Sequence, residues 1–171
     1  MNKVLECYIA FGGNLSNPEQ TFREAVTVLK EQGVMVNQMS SLWQSPAWPP
    51  SSQQPDYINA VGRASFLGVA DELLQTLHGV EARFGRMRSV INAARVLDLD
   101  LLSFGDVVLD RADIQVPHPR MMDRGFVLLP LSELSPDWKH PKTGEVVWDA
   151  IAKLPSCAVQ SLKRLKSFDL E

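Results

Sequence analysis

Two carboxylates, Asp98 and Asp100, stand two residues apart in the otherwise aliphatic run Leu97-Asp98-Leu99-Asp100-Leu101-Leu102. A strand sends alternate side chains to opposite faces, so this spacing puts both acids on one face and Leu97, Leu99 and Leu101 on the other. Their Cβ atoms then lie about 7 Å apart, two steps of strand rise. Side by side, two carboxylates repel and are costly to desolvate unless a cation joins them. Oxygen donors of this kind suit magnesium, which takes one or two carboxylates and completes its shell with water and phosphate oxygens. On spacing alone two other arrangements stay open: a solvated strand face, or carboxylates paired with nearby arginines.

Cations flank the acidic pair. Arg83, Arg86, Arg88 and Arg95 lead directly into it, and a second basic group follows in Pro117-His118-Pro119-Arg120 and Arg124-Gly125-Phe126. Guanidinium forks match phosphate oxygens bidentately, and a phosphate held between magnesium and arginine needs both signs close together. For Arg83 the plain alternative is a solvated helix end completing its dipole. Trp48 sits in the proline-rich stretch 45–55, and Tyr57 and Asn59 share a face of the following strand. An aromatic beside an amide can hold a flat heterocycle, although the same pair also serves ordinary packing. Gly12-Gly13-Asn14 reads as a turn. No Gly-x-x-x-x-Gly-Lys-Ser/Thr phosphate loop occurs.

These groups must be positioned by the elements around them. The apolar run Cys7 to Phe11 predicts a buried strand, and Asn17-Pro18 starts a helix whose apolar face is Phe22, Ala25, Val26 and Leu29, closed by Gly33. Residues 34–44 are β-like and 57–66 form a strand. Leu73, Leu77, Val80 and Phe84 recur at helical spacing, acidic at the start and basic at the end. Residues 95–104 read as a strand, 126–134 and 147–154 as helices, and 159–165 as a basic C-terminal strand. Composition gives a single α/β or α+β domain with helices on the sheet faces.

The bulk numbers exclude several classes. The 171 residues carry 45% hydrophobic and 22% charged side chains, ordinary for a globular domain, and a net charge of −3 argues against bulk nucleic-acid binding. Cys7 and Cys157 are read as buried apolar fillers, since two distant cysteines form no zinc or redox spacing. The amino terminus is too charged for a signal peptide and no stretch is long enough to span a bilayer, so the cytoplasm is expected.

Five blocks then stand in a familiar order: Tyr8-Ile9-Ala10-Phe11-Gly12-Gly13-Asn14-Leu15, Gln54-Pro55-Asp56-Tyr57-Ile58-Asn59-Ala60, Leu97 to Leu102, Val116-Pro117-His118-Pro119, and Arg124-Gly125-Phe126-Val127-Leu128-Leu129-Pro130-Leu131. Over nearly its whole length the chain resembles the 6-hydroxymethyl-7,8-dihydropterin pyrophosphokinases of folate biosynthesis. The resemblance implies an α+β fold, a ferredoxin-like three-layer sandwich with a mainly antiparallel sheet and helices on both faces. It also implies ATP with two magnesium ions, attack by the pterin hydroxymethyl oxygen on the β-phosphorus, and AMP as leaving group. By the same resemblance Asp98 and Asp100 hold both ions. Tyr57 and Phe126 sandwich the pterin beside Gly12, Asn59 reads its edge, and the Ser45, Pro46 and Trp48 loop covers it. Arg86, Arg88, Arg95, His118 and Arg124 meet phosphates, while His78, Glu81, Leu101, Ile114 and Gln115 fall at nucleotide-pocket positions. The implied partners are small molecules, acting on a monomer.

One element departs from the family pattern. Many members carry Arg-Trp-Gly-Pro-Arg before the acidic pair, where this chain has Ile91-Asn92-Ala93-Ala94-Arg95, so only the last arginine remains. In addition, His78 replaces the usual Gln and Pro119 a Tyr. Two competing classes follow: a pterin- or nucleotide-binding paralogue of weak turnover, and a ferredoxin-like RNA-binding domain. The second requires exposed aromatics on a central strand and a basic surface, neither of which is present.

Overall fold

The computed structural model describes residues 3–47, 53–86 and 94–170. β1 (Val4–Gly13) is the central strand, and its alternation divides the molecule. Cys7, Ile9 and Phe11 enter one core, and Tyr8 enters the other. α1 (Pro18–Glu31) begins where Asn17 accepts the Gln20 N–H at 3.3 Å with proline at the first helical position, and Gly33 follows it at φ +80°.

The β-like stretch 34–44 is two strands, β2 (Val34–Met39) and β3 (Trp43–Ser45). Between them the Ser40 hydroxyl accepts the Val61 N–H at 2.9 Å, and a side chain thus replaces a rung of the ladder. β4 (Tyr57–Leu67) pairs with both pieces, and α2 (Ala70–Arg83) buries Leu73, Leu77 and Val80. β5 (Asp98–Phe104) starts three residues later than the sequence pattern indicated, so Arg95 lies before the strand.

Two short strands, β6 (Leu109–Asp110) and β7 (Gln115–Val116), pair with each other. A 3-10 turn at Met121–Asp123 leads into α3 (Gly125–Leu134), and α4 (Val147–Lys153) follows. The region read as a C-terminal strand divides into α5 (Ser156–Gln160) and the two-residue β8 (Lys163–Arg164). Cys157, on α5, is exposed; a five-residue helix with no buried residue offers no core to fill. Cys7 is buried, and burial pushes its thiol up to about 12.

The main sheet runs β5-β1-β4-β3-β8, with β2 beside β4, and every pairing is antiparallel. The path β1-α1-β2-β4-α2-β5 is the ferredoxin-like arrangement. α1 and α2 pack on one face around Phe22, Leu29, Leu73 and Leu77, and α3 and α4 pack on the other around Leu128, Leu131 and Val147. Three layers result, each sheet face covered by its own helices. Among the described residues no helix is long and apolar enough to cross a membrane.

Candidate active site

A cavity of about 550 Å³ opens on the α3 side of the sheet, where the ends of β1, β4 and β5 meet the start of α3. Strand alternation carries Asp98 and Asp100 into it and sends Leu99 and Leu101 into the opposite core. The register aligns the walls, with Gly12 opposite both Asp98 and Asn59 and Ala10 opposite Asp100. Gly13 has no room for a side chain, because a Cβ there would meet the Val96 carbonyl oxygen at 2.6 Å.

One half of the cavity is charged. Asp98 Oδ2 pairs with Arg95 Nη1 at 2.8 Å, and Asp98 Oδ1 lies 2.7 Å from Arg86 Nη1. Asp100 Oδ2 faces Arg124 Nη1 at 3.6 Å and His118 Nε2 at 4.0 Å. Behind them Glu81 is fully buried. It accepts the Leu99 N–H at 2.7 Å, between the two aspartates, and contacts Arg86. Burial pushes the Glu81 carboxyl up to about 7; Asp98 adds to this, while the Leu99 N–H and Arg86 oppose it. Burial and the adjacent Asp98 also raise Asp100, against the pull of His118, Arg124 and Arg86. His118 is held below the usual imidazole range by burial, with Arg124 and Arg120 acting the same way and Asp100 opposing them.

The arginine-paired arrangement left open by spacing is therefore present, and the pairing is incomplete. Asp98 Oδ1 is buried and has hydrogen-bond geometry to no donor among the described residues, despite its nearness to Arg86. A buried carboxylate oxygen left with an ion-pair contact to Arg86, beside a second carboxylate, fits a magnesium site. No group of three or more His, Cys, Asp or Glu is placed around a metal position among the described residues, so an ion there would draw its other ligands from water and phosphate.

The other half is neutral. Asn59 Nδ2 donates to Ser45 Oγ at 2.9 Å, which joins β4 to the end of β3, and Tyr57, Pro46 and Phe126 complete the walls. Phe126 stands in the first turn of α3, with the Arg124 guanidinium 5.6 Å from its ring centre. Asn14 anchors both flanks. Its Oδ1 accepts the Arg95 N–H at 2.8 Å, and its Nδ2 donates to Gln54 Oε1 and the Pro55 carbonyl at 3.2 Å.

Of the residues singled out from the sequence, the cavity gathers Gly12, Ser45, Pro46, Tyr57, Asn59, Arg86, Arg95, Asp98, Asp100, His118, Arg124 and Phe126. Trp48, Arg88 and the departing segment up to 93 lie outside the described residues. The structure does not bring His78, Leu101, Ile114 or Gln115 to the cavity. Leu101 and Ile114 are core residues, Gln115 donates to Asp110 on β6, and His78 is half-buried on α2. Sequence reasoning missed Ala10, Phe11, Asp123 and Val127 as lining residues, and missed the anchoring role of Asn14. For Asn14 a signal existed in an amide directly after two glycines.

Comparison with known proteins gives a consistent picture. The family model described as 7,8-dihydro-6-hydroxymethylpterin-pyrophosphokinase matches residues 8–136. The chain is 38% identical to a 2-amino-4-hydroxy-6-hydroxymethyldihydropteridine pyrophosphokinase of Synechocystis, over 88% of this chain and 77% of that protein. A Pseudomonas aeruginosa protein of the same name is 32% identical over 95% of this chain and 98% of its own. Among solved structures, a Plasmodium falciparum HPPK-DHPS triple mutant with pteroate superposes with TM-score 0.74 at 12% identity. It covers 95% of this chain, which spans 47% of that longer one, and the likeness concerns the fold alone.

Proposed function

The chain belongs to the 7,8-dihydro-6-hydroxymethylpterin-pyrophosphokinase family, and on that premise we propose that it transfers diphosphate from ATP to the hydroxymethyl group of 6-hydroxymethyl-7,8-dihydropterin, releasing AMP. The observation that carries this reading is the division of one cavity into a charged half and a neutral half. A triphosphate needs cations and metal-binding carboxylates; a flat, polar-edged ring needs aromatic walls and an amide. Both sets face the same space.

Asp98 and Asp100 would hold two magnesium ions, and magnesium bound there neutralises phosphate charge and lowers the proton affinity of the acceptor oxygen. Arg86, Arg95, His118 and Arg124 would take the phosphate oxygens. Those cations now lie on the aspartates, so their partners change when nucleotide enters. Tyr57 and Phe126 orient the pterin, and Asn59 reads its edge. In the reaction the hydroxymethyl oxygen bonds to the β-phosphorus, the bond from that phosphorus to the oxygen bridging the α-phosphate breaks, and the electron pair leaves with AMP. Among the described residues no strong general base is evident in the cavity, and Asp100 is the candidate acceptor for the hydroxyl proton.

We read residues 1–171 further as one domain, a cytoplasmic monomer acting on small molecules and not on nucleic acid; the net charge of −3 supports that reading. Turnover with ATP, magnesium and hydroxymethyl-dihydropterin, followed by nucleotide chromatography, tests the function. AMP should form in step with pterin consumed. ADP as primary product would overturn it, and binding of both substrates without AMP would leave a binding protein.

A further inference from the structure

We propose that Glu133 is a positioning residue for the pterin half of the site, setting the gap between its two walls from the far end of α3. The inference rests on the pyrophosphokinase reading. Phe126, one wall, lies in the first turn of α3, and Glu133 follows seven residues later, two turns on and therefore on the same helix face. The opposing wall, Tyr57, opens β4 and pairs with Ser45, the last residue of β3. β3 has only three residues, paired to β4 on one side and to the two-residue β8 on the other, so its own ladder holds it weakly.

Glu133 supplies what that ladder lacks. Its Oε2 accepts the Ser41 N–H at 2.8 Å, and Ser41 lies in the break between β2 and β3. Its Oε1 accepts Trp43 Nε1–H at 2.8 Å and Arg164 Nε–H at 3.2 Å. One carboxylate therefore ties the segment before β3, β3 itself and β8 to the helix that carries Phe126. A carboxylate in the last turn of a helix opposes the helix dipole, so this position costs stability unless specific donors hold it. Here there are three, one of them cationic. From Trp43 the constraint continues to the pocket: Trp43 pairs with Asn59 in register, and Asn59 donates to Ser45 Oγ.

The test is steady-state kinetics with pterin and ATP varied separately, together with calorimetric pterin binding, on native protein, Glu133→Gln, Glu133→Ala and Trp43→Phe. Pterin KM and Kd should rise at least fivefold in Glu133→Ala and less in Glu133→Gln and Trp43→Phe. ATP KM, and kcat at saturating pterin, should stay within twofold. If Glu133→Ala does not fold, the two milder variants decide the matter. Unchanged pterin affinity in both, or a parallel rise in the two KM values, overturns the positioning role and leaves the function standing. Native protein that neither binds pterin nor forms AMP overturns the functional reading, and the inference falls with it.

Discussion

At the β3–β4 end of the cavity, polar groups are matched by neutral hydrogen bonds that no charged substrate needs to break, Asn59 to Ser45 among them. At the β5 end, Asp98 and Asp100 are held by Arg86, Arg95, Arg124 and His118, and one buried carboxylate oxygen still lacks a hydrogen bond among the described residues. On the proposed reading, the first end is preorganised for a ring. The second is a provisional settlement of charges that phosphate and metal would rearrange. Binding at the first should follow shape and hydrogen bonding; catalysis at the second should follow charge.

The largest effect that can break this comparison comes from the aspartates. Asp98→Ala or Asp100→Ala should lower kcat by at least about a hundredfold, as loss of a main electrostatic stabiliser does, while pterin affinity measured by calorimetry stays close to native. Near-native turnover of Asp100→Ala would remove the metal assignment. Next come Arg86→Ala and Arg95→Ala, which should lower kcat about ten- to a thousandfold, roughly 1.4–4 kcal/mol of transition-state stabilisation. Stopped-flow turnover at saturating substrates checks this, and native rates in both would make these arginines a solvated face.

The neutral half should answer differently. Asn59→Ala should weaken pterin binding by about 1–3 kcal/mol, because the ring's polar edge is left buried and unpaired. An unchanged calorimetric Kd would contradict the assigned edge contact.

The smallest effect is a control outside both halves. His140 Nδ1 accepts the Lys142 and Thr143 N–H groups at 3.3 Å, and burial, then Lys142, hold its imidazole below the usual 6.5 against the pull of Glu145. A depressed folded value means that its contribution to stability is present above about 6.5 and is lost as pH falls through the folded value. Urea unfolding of native protein should therefore show a modest loss of stability in that range, absent in His140→Gln, with pterin and ATP KM unmoved.

Long periodic elements were legible in the sequence because their signals are local. The Asn17 cap, the Phe22–Leu29 face and the alternation through Asp98 and Asp100 each need only neighbouring residues to be read. The break between β2 and β3 was hidden, since it depends on the Ser40 hydroxyl meeting Val61, twenty-one positions away. Residues 109–110 and 115–116 are too short to carry a period, and their strands exist only through each other. The site followed the same rule. The acidic pair announced itself by spacing, and alternation had already turned Leu101 away from it. Asn14 and Glu133 act across 81 and 92 positions, a reach that no spacing pattern records.

The β1–β5 pairing carries one irregularity: Tyr8 faces Ser103 and Ile9 faces Leu101, so Leu102 has no partner on β1. Leu102 packs in the α3 core, and its carbonyl accepts the His118 N–H at 2.8 Å. For sequence drift in this protein the consequence is an asymmetry between exchange and loss. Another apolar residue at Leu102 keeps the extra position and costs mainly packing. Deleting it removes the bulge and leaves the pairing on either side in place, Leu101 with Ile9, Ser103 with Tyr8 and Phe104 with Cys7. What is lost is the Leu102 side chain from the α3 core and the carbonyl that anchors the loop bearing His118. At this position the main chain is more constrained than the side chain, since any residue there supplies the carbonyl for His118, and related sequences should exchange Leu102 more readily than lose it.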